Sequence, residues 1–535
     1  MIDWLTVPGT SRLKNVIPIN QSSIQPIYLR LVILRSYPNI ILFIFLAIFS
    51  NIFSQKTQDS QIHTGLNASY NFDFEKAESI FQKIIDENPN HPAGYYFLSQ
   101  IYLWKYLGGN DRGDKGIFIK YADLSIKKSE ILIDKKETAE IYFYLGSAFQ
   151  LKALALIYEG EFYDAYGDVK DAVDNLEECL ELNPKFYDAY LGLGIFNYTL
   201  SYVPSFYRFL MGIFGLSSDK EKGFEQIKIA AEKGNFNKYI SEFYKARLLS
   251  DYVADYNSSI RLTDNLLKQF PDNIVLHYQH GFSSLLNRDI ETAEKSFAKI
   301  IEISGKEFQL TNSFAYLRMG DINFRKNNFN AAINYYEQFL NETRSFEFAG
   351  YAYYQIALCY SFLENEIEMR RNLIFARNGN LDIPDDYYAK EKSEYFYDKG
   401  FSKEYLKLIK AENLLVTKNY QSAEKIINEI SSVKKISKET SAKCEFLKSQ
   451  LLFSRNDFKA AIKNAEKIKE ENLKIEKWIL PAANLLIAES YFQLGNFEKA
   501  ESFLQKAEEQ NEFEYSEQFE SKIMNLKRRL SNSKK

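Results

Sequence analysis

Apolar residues recur at helical spacing along most of the chain, and small residues recur with them. Ala77 is followed by Phe81 and Ile84 at offsets of four and seven, and by Pro89 at twelve. Ala293 has Phe297 and Ile300 at the same offsets, and Ala332 has Tyr336 and Phe339. Ala172 leads to Leu176, Cys179 and Pro184, and Ser259 to Thr263, Leu266 and Pro271. Ala423, Ala461 and Ala500 continue the series. Twelve residues upstream stands a second small residue: Gly65 before Ala77, Gly281 before Ala293, Gly320 before Ala332. Ala411, Ser449 and Ala488 precede the last three in the same way. Offsets of four and seven put side chains on one helical face. Each segment therefore predicts two antiparallel amphipathic helices joined by a short turn such as KNNFN, TKNY or RNDF. The helices approach closely where residues are small, and large residues fill the groove beside the crossing.

The series also has a long period. Ser259, Ala293 and Ala332 lie 34 and 39 residues apart, and Ala423, Ala461 and Ala500 lie 38 and 39 apart. Tyr142, Leu145, Gly146 and Phe149 form one first-helix signature, and Tyr190, Leu193 and Gly194 form another, with Asn197 in the second aromatic place. Ala77, Phe81 and Pro89 form a second-helix signature. The pattern resembles the tetratricopeptide repeat and is sustained from Gly65 to Ala507. That resemblance implies an all-α fold: a right-handed α-solenoid of about 10–11 antiparallel helix pairs, the tetratricopeptide superhelix.

Two repeats are stretched. Gly146 and Ala172 are 26 residues apart instead of twelve, and Gly194 and Gly223 are 29 apart. Within residues 192–234, Gly194, Phe196, Asn197, Ser201, Pro204, Gly215 and Gly223 resemble a segment of a eukaryotic tetratricopeptide family. That family is associated with inclusion-body clearance in yeast, and the resemblance implies a shared subfold. The organisation expected is an amino-terminal array over residues 62–376, with insertions near 105–120, 150–168 and 198–218. A hinge over 377–400, a three-repeat array over 401–508, and a capping helix with a charged tail over 509–535 complete it.

Residues 1–54 read as an address. Ile40 to Phe53 is an apolar run shorter than a bilayer span, preceded by Arg30 and Arg35 and followed by Ser54 and Gln55. This pattern predicts a secretory signal peptide, with the true start nearer Leu29; no Cys follows to mark a lipoprotein. The alternative is an uncleaved signal anchor over 29–53. The expected location is the periplasm or cell envelope.

Composition narrows the function classes. A net charge of −4 argues against nucleic acid as the main partner. Three cysteines cannot staple so long a chain, and four histidines leave little for a His-built metal centre. Of 11 prolines, Pro8, Pro18, Pro26 and Pro38 precede residue 40, which leaves room for long helices afterwards. His277 and His280 share a helical face without a zinc-protease pattern, and read as surface or packing residues. Cys179, Cys359 and Cys444 read as buried packing thiols. The stretch Gly108 to Gly116, with its Arg112-Gly113-Asp114 tripeptide, reads as a connecting loop that lacks calcium-ligand spacing. Lys527, Arg528 and Arg529 read as a solvated helix end. No phosphate loop or nucleophile elbow occurs, so no catalytic residue, cofactor or metal is expected.

In the solenoid implied by the resemblance, first helices line the concave side. The residues three before each first-helix marker position (small in every case but Arg247) then form a candidate partner-binding stripe: Phe143, Leu191, Tyr244, Tyr278, Leu317 and Tyr354. The competing role for them is packing against the next repeat. The leading expectation is a non-enzymatic scaffold that binds a peptide segment or helix of another protein. The second is a membrane-associated assembly or lipid-handling factor using the apolar insertion 198–216, whose one charge is Arg208, and an amino-terminal anchor.

Overall fold

The computed structural model describes residues 55–109, 111–199, 219–303, 308–343, 347–468, 473–511 and 519–533. The address segment 1–54 and most of the apolar insertion, 200–218, lie outside the described residues. The described residues form helices and no strands. Eight pairs come first: α1 (Gln55–Tyr70) with α2 (Phe74–Glu87), α3 (Ala93–Gly109) with α4 (Arg112–Ile133), α5 (Ala139–Tyr158) with α6 (Phe162–Leu182), and α7 (Ala189–Thr199) with α8 (Lys220–Lys233). Then follow α9 (Lys238–Asp251) with α10 (Tyr256–Leu267), α11 (Ile274–Leu286) with α12 (Ile290–Ile303), α13 (Gln309–Arg325) with α14 (Phe329–Glu342), and α15 (Ala349–Phe362) with α16 (Glu366–Phe375). A single helix, α17 (Pro384–Lys399), comes next. Three further pairs are α18 (Lys403–Val416) with α19 (Tyr420–Ser431), α20 (Lys438–Ser454) with α21 (Phe458–Ala465), and α22 (Ile479–Gln493) with α23 (Phe497–Glu509). Helix α24 (Glu520–Ser533) ends the array. Successive helices pack on one another, so the molecule is an all-α solenoid with the expected number of pairs.

The small residues do what their spacing predicts. A methyl group on Gly65 would lie 2.5 Å from the Phe81 ring, one on Gly320 2.6 Å from Tyr336, and one on Gly281 2.9 Å from Phe297. In each pair the glycine on the first helix admits the aromatic four residues beyond the alanine of the second. Ala77, Ala293 and Ala332 are themselves fully buried at these crossings.

The turn inside most pairs is built alike. One residue takes left-handed backbone, and an Asp or Asn then opens the second helix. Phe72–Asp73, Ala254–Asp255, Glu364–Asn365, Lys418–Asn419 and Asn456–Asp457 follow this rule. The five capping side chains accept from the backbone N–H groups of Lys76, Ser258, Glu368, Ser422 and Ala460. Left-handed backbone costs a residue with a Cβ about 1–2 kcal/mol. Exposed Glu364 (φ 59°) carries that cost without a side-chain role in the core. Glu364→Gly is expected to raise stability by about 0.5–1 kcal/mol, read in a thermal melt. A lower midpoint would show that the turn is unstrained.

The stretch between Gly146 and Ala172 is helical. Helices α5 and α6 have 20 and 21 residues, where α11 and α12 have 13 and 14. Seven residues are about two helical turns, so each helix lengthens while its facing stripe stays in register. Gly146 still meets Ala172, with the would-be methyl 2.9 Å from its carbonyl oxygen. The Gly108–Gly116 stretch, expected as a connecting loop, is mostly helix: Asp111 caps α4, and Arg112-Gly113-Asp114 is its first turn. Among the described residues α5 is the one helix long and apolar enough to cross a membrane, and most of it is buried in this core.

The region 377–400, expected as a hinge, carries α17 as a packed helix. Asp386, Lys392, Ser393 and Phe396 are buried, and α17 packs on α15. The solenoid also coils onto itself. Tyr70 O accepts from Asn273 Nδ2 at 2.8 Å, the Phe72 and Phe308 rings lie 4.6 Å apart, and α3 packs on α13. Trp104, Tyr96 and Tyr144 are fully buried inside this closure.

Candidate functional site

The tight coil decides what the concave side can offer. Phe143, Leu191, Tyr244, Tyr278, Leu317 and Tyr354 are none of them more than 2% exposed. Phe143 stacks on Phe186 at 5.3 Å, Tyr278 meets Phe297 at 5.5 Å, and Tyr354 meets Tyr388 of α17 at 6.1 Å. The structure gives these six the packing role, and they do not converge on one accessible surface. The physical reason is closure: the coil brings distant repeats together, and aromatic side chains fill the space between them.

Open concave space remains at the carboxy-terminal array. A cavity of about 400 Å³ is walled by Leu415 and Val416 of α18, Phe446 and Phe453 of α20, and Leu485 and Leu486 of α22. Trp478, just before α22, adds a ring, and Leu286 and Tyr256 close it from the middle repeats. Its size and apolar lining are those of a binding pocket. Phe446 and Leu485 stand three before Ser449 and Ala488, which is the offset that defined the candidate stripe. The rule therefore marks wall residues, but in the array whose small residues had not been used for it.

Two carboxylates reach the wall, and both are paired. Glu489 meets Arg529 of α24 at 2.6 Å. Burial alone would raise the Glu412 carboxyl, but Lys443 at 2.7 Å and Arg325 at 3.8 Å hold it well below the usual range. Behind Glu412 lies a buried charge network. Glu476 takes Lys392 at 2.9 Å, the Tyr405 hydroxyl at 2.7 Å and Trp478 Nε1–H at 2.6 Å, with Lys443 at 3.9 Å. Arg325 of α13 donates to Asn413 at 3.0 Å, so the network ties the amino-terminal array to α17, α18 and α20. Nothing in the local sequence marks its members, because their partners lie far along the chain.

The other candidates have local partners. His277 Nε2 lies 2.8 Å from Pro271 O, and His280 lies 2.8 Å from Ser296 and 3.0 Å from Asp264. Cys179, Cys359 and Cys444 are buried, and burial pushes each thiol up. Asp188 is pushed up to about 6 by burial, although the backbone N–H groups of Asn237 and Asn235 donate to it at 2.8 and 3.0 Å. It joins the start of α7 to the turn before α9.

Of the carboxy-terminal cations expected as a solvated helix end, Lys527 is exposed, while Arg528 and Arg529 are half-buried and paired. Arg528 meets Glu221 at 2.9 Å, donates to Tyr252 O at 3.0 Å and lies 4.2 Å over the Tyr252 ring. Asn525 donates to Val253 O at 2.7 Å. These carbonyls follow the end of α9, where a helix leaves acceptors without internal donors. Helix α24 thus spans from the last repeat to the middle of the chain and borders the cavity through Lys522, Asn525 and Arg529, with Phe519 just before it.

A family model described as Iml2/Tetratricopeptide repeat protein 39 matches residues 188–378, and one described as tetratricopeptide repeat matches residues 481–513. The first includes the segment 192–234; the second covers α23 and most of α22, whose Leu485 and Leu486 wall the cavity. Among solved structures, the chain is similar to yeast Tom70, with 16% identity, coverage of 81% of this chain and 88% of that one, and a TM-score of 0.32. It is similar to the apo quorum sensor NprR from B. thuringiensis, with 14% identity, coverage of 76% and 97%, and a TM-score of 0.38. It is also similar to the Cut9–Hcn1 hetero-tetramer of the APC/C, with 13% identity, coverage of 92% and 94%, and a TM-score of 0.26.

Proposed function

Starting from a chain that is a tetratricopeptide repeat protein, with a middle that resembles the Iml2/Tetratricopeptide repeat protein 39 family, we propose a non-enzymatic scaffold of the cell envelope that holds a segment of another protein. The observation that carries this reading is the 400 Å³ apolar cavity walled by the first helices of three consecutive repeats. Such a wall seats apolar side chains of a partner, and the paired Glu412 and Glu489 at its edge favour a segment with polar flanks. The buried network behind the wall keeps it rigid, so little ordering is lost on binding. The envelope location is supported by Arg30 and Arg35 before the apolar run from Ile40 to Phe53.

Leu485 is half-buried at the cavity surface, so Leu485→Glu puts a charge on the wall without opening the core. Helicity and melting midpoint should stay close to the wild type, while a partner that co-purifies from the native cell is lost. Retention of that partner would sink the cavity as the binding site. Fractionation of the same cells should recover a shortened protein outside the cytoplasm; a full-length cytoplasmic protein would remove the envelope from the proposal.

A further inference from the structure

Helix α24 is held to the rest of the molecule by a narrow set of contacts. One apolar stripe, Ile523, Leu526 and Leu530, is buried, at spacings of three and seven. The polar hold is Asn525 on Val253 O, Arg528 on Tyr252 O and Glu221, Arg529 on Glu489 with its guanidinium 4.3 Å over Phe492, and exposed Lys527 on Glu508 at 3.2 Å. Two of these acceptors are main-chain carbonyls past the end of α9. Any helix that presents Asn and Arg three apart on the flank of an apolar stripe satisfies them. The fit of α24 is also incomplete. Its inner edge sets Lys522 and Asn525 against the half-open 400 Å³ cavity, so an apolar side chain at the Lys522 position would gain contact with the cavity's apolar wall.

We propose that the seat under α24 is a helix-docking site, and that the partner enters as an amphipathic helix that takes the place of α24. This rests on the scaffold reading above and names the class of segment bound: apolar residues in the register of Ile523, Leu526 and Leu530, an asparagine and an arginine in those of Asn525 and Arg528, and an apolar residue where this chain has Lys522. Such a helix makes the same polar bonds as α24 and also fills the cavity, which is why it competes with an intramolecular rival.

The probe is a labelled synthetic peptide with the sequence of residues 519–533, titrated by fluorescence anisotropy into the full-length chain. Loosening the resident helix with Asn525→Ala and Arg528→Ala in the chain should tighten peptide binding about tenfold. The same two substitutions in the peptide should weaken it about tenfold. A peptide carrying Lys522→Leu should bind tighter than the unaltered one. Amide exchange across residues 520–533 of the chain should accelerate when peptide is bound. Absence of binding to both chain forms, or binding that leaves these amides protected, overturns the proposal. A native partner that binds with α24 still protected also overturns it while leaving the scaffold reading standing. Peptide exchange in a chain whose cavity variant keeps its partner supports the seat and counts against the cavity.

Discussion

Replacing Glu476 by glutamine is expected to cost about 3–5 kcal/mol of folding stability. Glu476 is fully buried, and every atom of its carboxylate is committed. Oε1 takes Lys392 and the Tyr405 hydroxyl, and Oε2 takes Trp478 Nε1–H. An amide turns one of those oxygens into a donor, which then faces another donor at hydrogen-bond distance. The charge balance fails as well: Lys392, Lys443 and Arg325 would be left with Glu412 alone. The two ammonium groups and Tyr405 hold Glu476 below the usual carboxylate range against the effect of burial, so the wild-type group is ionised at neutral pH. Removing one partner of a buried pair leaves the other uncompensated, which costs more than the pair contributes. A second variant separates this from plain misfolding. Adding Lys392→Met to Glu476→Gln removes the orphaned charge and should recover about 1–2 kcal/mol. Urea unfolding of the wild type, the two singles and the double measures it. Additive losses would show that the two side chains are energetically independent.

The consequence reaches beyond stability. Arg325 belongs to the amino-terminal array, Lys392 to α17, Glu412 and Tyr405 to α18, and Lys443 to α20. The network therefore sets the angle at which the carboxy-terminal wall of the cavity faces the middle repeats. Glu412 is shared between network and wall, so a change in one is felt at the other.

These features differ in how far the sequence reveals them. The helix pairs were readable because their cause is local. Gly320, Ala332 and Tyr336 meet across a single hairpin, and the chemistry of that meeting is written at offsets of twelve and four. The seven-residue lengthening of α5 and α6 was visible as a distance from Gly146 to Ala172, although not as two extended helices. Accessibility was not readable. Phe143 and Leu485 occupy the same position in their repeats, yet one is buried in the coil and the other is half-buried on a cavity wall. What separates them is the curvature accumulated over many repeats, and small rotations at each step add up to closure. Charges suffered from the same lack of long-range information. Lys392, Lys443 and Arg528 have the composition of a solvated face, and their partners lie tens to hundreds of residues away. Pro384 was legible as a break in the rhythm; that it opens a buried helix was not.

Asp385, one residue past that proline, gives the second large expectation. Its side chain is buried in the first turn of α17, beside Asp386 and near Arg318 and Asp321. Burial pushes its carboxyl up to about 7, and Arg318 only partly offsets this. Arg318 is already engaged by Asp321 at 3.1 Å, and Asp321 takes the hydroxyls of Tyr336 and Tyr351 at 2.9 and 2.8 Å. Asp386 takes the backbone N–H groups of Tyr351 and Asn380 at 2.7 and 2.8 Å, so those donors serve the neighbouring carboxyl. The sign follows from proton binding. Between the ordinary aspartate value and about 7 the folded chain holds a proton on Asp385 that the unfolded chain has released. Protonation therefore favours folding, and this contribution is present at low pH and lost as pH rises through about 7. Asparagine at this position cannot ionise and should be spared the loss. The stability difference between Asp385→Asn and wild type is expected to be near zero at about pH 4 and to grow to about 2–4 kcal/mol in favour of the variant by about pH 8. Asp188 titrates in both proteins and cancels in the difference, whereas Asp386, raised in part by the neighbouring Asp385 charge, shifts it in the same direction, toward the variant at high pH. Denaturant curves at stepped pH supply the measurement, and parallel stability profiles from acid to alkaline pH would show that Asp385 reaches water in the folded state. If the profiles diverge as expected, the packing of α17 against α15 weakens as Asp385 ionises, and the seam between the two arrays becomes one part of the solenoid that responds to pH, beside Asp188 between α7 and α9.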